Sequence, residues 1–241
     1  MPSRNNNEDV MALMEKLIRR GKGPTSRRIR LKVMFWNITV NGAYAIKRFL
    51  DIILALIATV ILSPVFIITA VAIFFESPGP IFFAQVRVGK DGRHFRFFKF
   101  RSMVINAEAL KTQLAAQNES ADGVIFKMKN DPRVTRVGRF IRRFSIDELP
   151  QLFNVLIGDM SMVGPRPPVP REVALYTLDD RKRLHVKPGI TCIWQVSGRS
   201  NIPFKQQVAL DKKYIRSKSL LGDFIILLMT IPAVLSGRGA Y

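Results

Sequence analysis

FLDIILALIATVILSPVFIITAVAIFF, residues 49–75, is the stretch on which the architecture turns. It carries a single charge, Asp51, near its start, and is long enough to cross a hydrocarbon core as a helix. A buried helix in a soluble protein is the competing reading, but few globular cores need so long an apolar run. Pro64, preceded by Ser63, stands in the middle. It removes one backbone hydrogen bond and crowds the preceding turn, so the helix is expected to kink or break there. Both flanks are basic: Arg27, Arg28, Arg30, Lys47 and Arg48 come before, and Arg87, Lys90, Arg93 and Arg96 after. A simple span would place one cluster on the wrong side under the positive-inside tendency. A helix that enters, turns at Ser63–Pro64 and returns keeps both clusters on one face.

Outward from this run, residues 1–30 are polar and basic, with a short helix expected near residues 8–20 and no secretory signal pattern. Residues 31–36, LKVMFW, suit the membrane interface. Near the other end, LLGDFIILLMTIPAVL at 220–235 is apolar but short and interrupted by Pro232. Lys212, Lys213, Arg216 and Lys218 precede it, which fits a helix lying in the interface or a core helix.

The whole chain has 241 residues and a formal net charge of +20, from 38 basic and 18 acidic side chains. That excess calls for anionic partners: nucleic acid, lipid headgroups or phosphorylated substrates. One cysteine, Cys192, excludes an intrachain disulfide and a cysteine-cluster metal site. His94 and His185 are too few for a histidine-rich centre. A divalent metal must then be held by carboxylates and substrate phosphates, which points to magnesium or manganese.

Between the apolar segments, ESPGP at 76–80 reads as a turn. IFFAQVRV (81–88) and HFRFFKFR (94–101) read as strands joined through GKDG (89–92) into a hairpin. A helix is expected over 104–118, an extended piece at 124–129, and a helix over 133–144 with Arg133, Arg136, Arg139, Arg142 and Arg143 mostly on one face. That face is either solvated or a phosphate site.

The chemistry concentrates in SIDELPQLFNVLIGDMSMVGPRP, residues 145–167. Asp147 and Glu148 are adjacent and precede a helix running to about Leu156. Ser145 as N-cap with Glu148 as capping-box partner is one reading; a helix starting near Pro150 is the other. Either puts the dyad at the positive end of a helix, where negative charge and phosphate are favoured. Two adjacent carboxylates allow one to attack phosphorus and the other to hold magnesium beside a diphosphate. Arg142 precedes the dyad and Arg166 sits in the GPRP turn, placed for charge-assisted forks to phosphate. Asp159 is assigned to structure. KPGITCIWQVSGR (187–199) is expected to hold a turn, a strand bearing Trp194, and a polar loop with Ser197, Gly198 and Arg199, a core strand or a nucleotide or sugar-phosphate contact.

These features together resemble the bacterial sugar transferase family, the monotopic phosphoglycosyl transferases. The resemblance rests on Lys47, Arg48, Asp51, Ser63–Pro64, GPIFFAQVRVG (79–89), FKFRSM (98–103), the RRFSIDELPQLFNVLIGDMSMVGPRP run, KPGIT (187–191) and WQVSGR (194–199). It covers about residues 44–241 in order. It implies an α/β monotopic membrane protein with a re-entrant helix broken at Ser63–Pro64, a compact cytoplasmic catalytic domain of helices and a small sheet, and interfacial amphipathic helices. The organisation would be a basic extension (1–43), the membrane helix (44–76) and the catalytic domain (77–241), a minimal form.

By the same resemblance, Asp147 attacks the sugar-linked phosphate of a UDP-sugar, releases UMP and carries the phosphosugar until undecaprenyl phosphate takes it. Glu148 looks like the magnesium ligand, with manganese as a substitute, and Arg142 and Arg166 like phosphate contacts; Arg199, from the polar loop read above, is the third candidate phosphate contact. WQVSGR and GRGAY look more like the branch using UDP-glucose or UDP-galactose in exopolysaccharide synthesis than the acetamido-sugar branch. A location at the bacterial inner membrane follows, with the catalytic part on the cytoplasmic face and anionic lipids around it. A homodimer and downstream glycosyltransferases are further partners left open. Cys192 stands where the family commonly has glycine. A membrane-associated nucleic-acid binder would use the same charge, but no RNA-binding motif or aromatic stacking array is present, so nucleic acid is not expected. An idle scaffold conflicts with an intact dyad.

Overall fold

The computed structural model describes residues 24–114, 128, 130–237 and 239. The expected helix near residues 8–20, nearly all of the extended piece at 124–129 and most of the GRGAY tail lie outside them. The chain is a mixed α/β structure. It opens with α1 (Pro24–Ile61) and α2 (Ser63–Glu76), followed by the strands β1 (Phe82–Val88) and β2 (His94–Phe100). Then come α3 (Ala107–Gln113), α4 (Arg136–Arg143), a 3-10 turn at Ile146–Glu148 and α5 (Gln151–Ile157). β3 (Ser161–Val163), α6 (Pro170–Ala174), β4 (Gly189–Thr191), α7 (Ile193–Ser197), α8 (Phe204–Arg216) and α9 (Leu220–Ser236) complete it.

Among the described residues no single helix is long and apolar enough to cross a membrane; Asn41–Ile61 and Ser63–Glu76 meet that test together, bent by 59°. The break falls at the Ser-Pro pair. Pro64 has no N–H for the Val60 carbonyl, one turn back. Ser63 Oγ donates to that carbonyl instead, at 2.8 Å, so the bend leaves it satisfied. Backbone bonds resume at once, with Phe66 N donating to Leu62 O at 3.0 Å.

The bent pair is two-faced. Val60, Ile61, Ile67, Ile68 and Phe75 stand exposed on one side. On the other, Ala55 joins Phe97, Leu152, Val155 and Met160 in one core cluster, and Ile73 joins Phe100 and Ile141 in another. The lone charge of the apolar run belongs to this inner face. Asp51 Oδ2 accepts from Ser161 Oγ at 2.8 Å, and Oδ1 from the Met162 N–H at 3.1 Å. Lys47 bridges Asp51 (3.5 Å) to Asp223 of α9 (2.5 Å), and Tyr214 of α8 donates to Asp223 at 2.8 Å. Arg48 donates to the Val155 and Leu156 carbonyls, closing the negative end of α5. The helix is thus clamped to the rest by polar contacts that are largely buried. Asp51→Leu leaves the Met162 N–H without its acceptor, a loss of about 1–3 kcal/mol. A lowered thermal midpoint in detergent is the expected readout, with Phe75→Leu on the exposed face as the neutral control.

The hairpin forms as read: β1 and β2 are antiparallel, with Phe82 opposite Phe100 and Val88 opposite His94. Asn154 pins α5 beneath it, accepting from Phe98 N at 3.0 Å and donating to Arg96 O at 2.6 Å. β3 and β4 pair in parallel. Their close approach requires glycine: a Cβ on Gly189 would lie 2.0 Å from the Gly164 nitrogen.

Three expectations change. Trp194 lies in the short helix α7, not on a strand; β4 ends at Thr191. The helix expected over 104–118 starts only at Ala107, as α3, past the β-bridge from Met103 to Val134; residues 115–118 lie outside the described ones. The basic face of 133–144 does not act as a unit. Arg133 precedes α4 and is buried against Asp131 at 2.6 Å, whereas Arg136, Arg139 and Arg143 face outward. The C-terminal segment forms a helix with one face in the core and an exposed apolar face. α9 packs inward through Asp223 and Ile226 and exposes Leu221, Phe224, Leu228 and Leu235.

Candidate active site

The dyad lies on the 3-10 turn Ile146–Glu148, between α4 and α5. The capping-box reading does not hold. Ser145 takes the left-handed conformation (φ 53°) and its side chain caps nothing. α5 begins at Gln151, just after Pro150, close to the other reading. The turn directs both carboxylates toward β2. There Lys99 Nζ donates to Asp147 Oδ2 at 3.0 Å and to Glu148 Oε1 at 2.8 Å. Arg166 Nη1 donates to the same Glu148 oxygen at 3.0 Å. Asp147 is buried, with a relative exposure of 4%.

The electrostatics separate the environment of Glu148 from ordinary burial. Burial alone would raise its pKa, but Lys99 and Arg166 outweigh it and hold the carboxyl at about 2. Arg166 is driven the opposite way: burial lowers its pKa and Glu148 more than restores it, for a net rise. Because the folded value of Glu148 is depressed, its contribution to stability is complete above the unfolded carboxyl range. It is lost as pH falls through that range toward about 2. Thermal midpoints between pH 5 and pH 3 should therefore fall more steeply for the wild type than for Glu148→Gln; equal slopes would contradict it.

Asp147, Glu148, Arg142, Arg166 and Arg199 all line one cavity of about 690 Å³. Arg142, on the last turn of α4, has no ion pair among the described residues. Arg199 has a positive φ of 52° and donates to Arg143 O at 3.5 Å. Burial lowers its pKa while Glu148 and Asp147 raise it, so it senses both carboxylates. Ser63 and Pro64 stay outside the cavity, but Leu62 and Ala58 of the bent helix line it, as do Phe82 and Phe83. The wall is therefore cationic at the dyad and apolar toward the helix break.

Sequence reading missed Lys99 as a site residue. Its only signal was its place in FKFRSM, a lysine inside an aromatic strand. Trp194 and Gln207 also line the cavity. Among the described residues, no three His, Cys, Asp or Glu side chains converge into a metal cage. The donor chemistry nonetheless fits magnesium, which is characteristically held by one or two carboxylates with phosphates completing its shell. Two adjacent carboxylates opening on a cation-lined cavity supply that set.

The profile of the family described as bacterial sugar transferase matches residues 42–237. The chain belongs to the bacterial sugar transferase family. Among its curated sugar transferase relatives, galactosyl transferase CpsE of Streptococcus agalactiae is 49% identical over 195 residues, covering 80% of this chain and 43% of that protein. Exopolysaccharide production protein ExoY of Sinorhizobium fredii is 40% identical over 198 residues, 81% of this chain and 88% of that protein. The undecaprenyl-phosphate galactose phosphotransferase of Salmonella typhimurium is 42% identical over 208 residues, 85% and 44%. The chain thus spans nearly all of the exopolysaccharide production protein and less than half of the other two.

Proposed function

We propose that this chain transfers a hexose-1-phosphate, from UDP-glucose or UDP-galactose, to undecaprenyl phosphate as the first membrane step of exopolysaccharide or related glycan synthesis. The observation that carries the reading is the paired carboxylate held by Lys99 in a cavity that is cationic at one end and apolar at the other. A diphosphate suits the first end and a lipid phosphate entering from the membrane side suits the second.

In this reading an Asp147 oxygen forms a bond to the sugar-linked phosphorus. The bond from that phosphorus to the bridging oxygen breaks, and UMP leaves with the electron pair. An oxygen of undecaprenyl phosphate then attacks the same phosphorus and displaces the aspartate, restoring its carboxylate. Arg142, Arg166 and Arg199 hold phosphate oxygens through charge-assisted hydrogen bonds. Lys99 holds both carboxylates in place through its two hydrogen bonds and keeps Glu148 ionised. Glu148 would hold magnesium, whose chemistry when bound is to neutralise charge on the diphosphate. Mixing the purified chain with a UDP-hexose, undecaprenyl phosphate and magnesium should yield UMP and a lipid-linked sugar diphosphate in equal amounts. UMP without lipid product, or neither, would refute the transfer.

The bent pair α1–α2 is proposed to enter the cytoplasmic leaflet of the bacterial inner membrane and return, with anionic lipids against the basic flanks. Single cysteines at Lys32 and Arg93 test this in a Cys192→Ser background. Both should react with an impermeant thiol reagent from the cytoplasmic side only. Labelling of the two from opposite sides would establish a simple span.

A further inference from the structure

The GPIFFAQVRVG stretch carries an arginine whose role the dyad, the three arginines above and the metal do not account for. Arg87 is the penultimate residue of β1 and lines the same cavity. One end of its guanidinium is occupied: Nη1 donates to Pro167 O at 3.0 Å, beside Arg166. Its plane lies over the Phe97 ring, 5.1 Å from the centroid, and the Lys99 ammonium approaches that ring at 5.7 Å. Nε is sealed in without a hydrogen-bond partner. Nη2 has no partner among the described residues and is not sealed in, so it is the edge open to the cavity. Among the described residues no carboxylate pairs with it within 4 Å. Glu172, five residues after the GPRP turn, accepts from the Val169 N–H through Oε2 at 3.2 Å.

A cation held by packing and a carbonyl, next to a second arginine and short of a counter-ion, has the requirements of an anion site. Burial and the Arg166 charge press its pKa down to about 10, against weaker support from Glu172 and Glu148, consistent with positive charge left unbalanced. It remains protonated at neutral pH.

We propose that Arg87 is a phosphate-contacting residue that closes on the diphosphate of the nucleotide opposite Arg166, with Nη2 as the contacting group. This deepens the proposed function and rests on its reading of the cavity as a diphosphate site. The purely structural alternative is that Arg87 only fastens the GPRP turn through Pro167.

Inorganic pyrophosphate is the probe, titrated calorimetrically into the detergent-solubilised chain. Arg87→Gln should weaken its binding roughly 10- to 100-fold, the effect of one charge-assisted hydrogen bond. Arg87→Lys, which keeps the charge and one donor, should fall between Arg87→Gln and wild type. Arg93→Gln, an exposed change of equal charge on the same hairpin, should stay within twofold. Equal affinity in Arg87→Gln and wild type overturns the proposal, as does a loss in Arg87→Lys matched by an equal fall in thermal midpoint. The two readings fail separately. Pyrophosphate binding that depends on Arg87, in a chain that releases no UMP from any UDP-hexose, keeps the anion site and removes the transferase reading. UMP release with an unchanged KM for UDP-hexose in Arg87→Gln removes the Arg87 proposal alone.

Discussion

Asp147→Asn is expected to lower UMP release from a UDP-hexose by on the order of 10⁶-fold, the scale seen when a covalent nucleophile is removed. Asparagine keeps the shape of the side chain and an oxygen that can still accept from Lys99, so the neighbouring Lys99–Glu148–Arg166 contacts persist. An amide lacks the anionic oxygen needed to form the bond to phosphorus. The variant should therefore melt close to wild type while losing turnover. Intact-mass analysis gives an independent check. Wild type incubated with UDP-hexose and no lipid acceptor should gain the mass of a phosphohexose, and Asp147→Asn should not. Turnover above a tenth of wild type would mean that Asp147 is not the nucleophile.

Lys99→Met should be nearly as damaging, for a different reason. Among the described residues, Lys99 is the one cation that touches both carboxylates; Arg166 reaches only Glu148. Methionine fills the volume but leaves two adjacent carboxylates facing each other in a partly dry site. Lys99 contributes more than Arg166 to holding the Glu148 carboxyl at about 2, so its loss moves that pKa upward. Loss of one partner from a buried pair also costs about 3 kcal/mol or more of stability. Turnover at pH 7 is expected to drop at least 100-fold, with the pH–rate profile displaced upward because the ionised form is reached only at higher pH. The displacement separates a charge effect from simple unfolding. An unchanged profile with activity within threefold of wild type would leave Lys99 without its assigned role.

Much of the fold was legible because its signals are local. The hairpin followed from two aromatic runs around GKDG, and its observed ends, Phe82–Val88 and His94–Phe100, lie within a residue of those read. The helix break followed from proline's missing N–H, which needs no knowledge of neighbours. Trp194 was misassigned because Gly189–Thr191 is a strand only through its pairing with Ser161–Val163, and short parallel pairing leaves no period in a single segment. The basic run over 133–144 misled for a similar reason. Equal spacing along a helix states which side chains share a face, but not whether that face meets a cavity, a carboxylate such as Asp131, or water.

The amino-acid sequence by itself determined that an apolar helix breaks at Ser63–Pro64, that a hairpin follows, and that Asp147 and Glu148 lead into a short helix with arginines on either side. Each rests on chemistry within a few residues of chain. Only the tertiary structure decided which groups complete the site and where the apolar helix is held. Lys99 meets the dyad from a strand 48 residues earlier, and Asp51 reaches Ser161 across 110. Arg48 closes α5 from 107 residues away, and Arg87 reaches Pro167 across 80. A lysine in a strand or an aspartate in an apolar run has no fixed partner until packing removes water from around it. The search for that partner then ends wherever the fold has placed an opposite charge or an unpaired polar group.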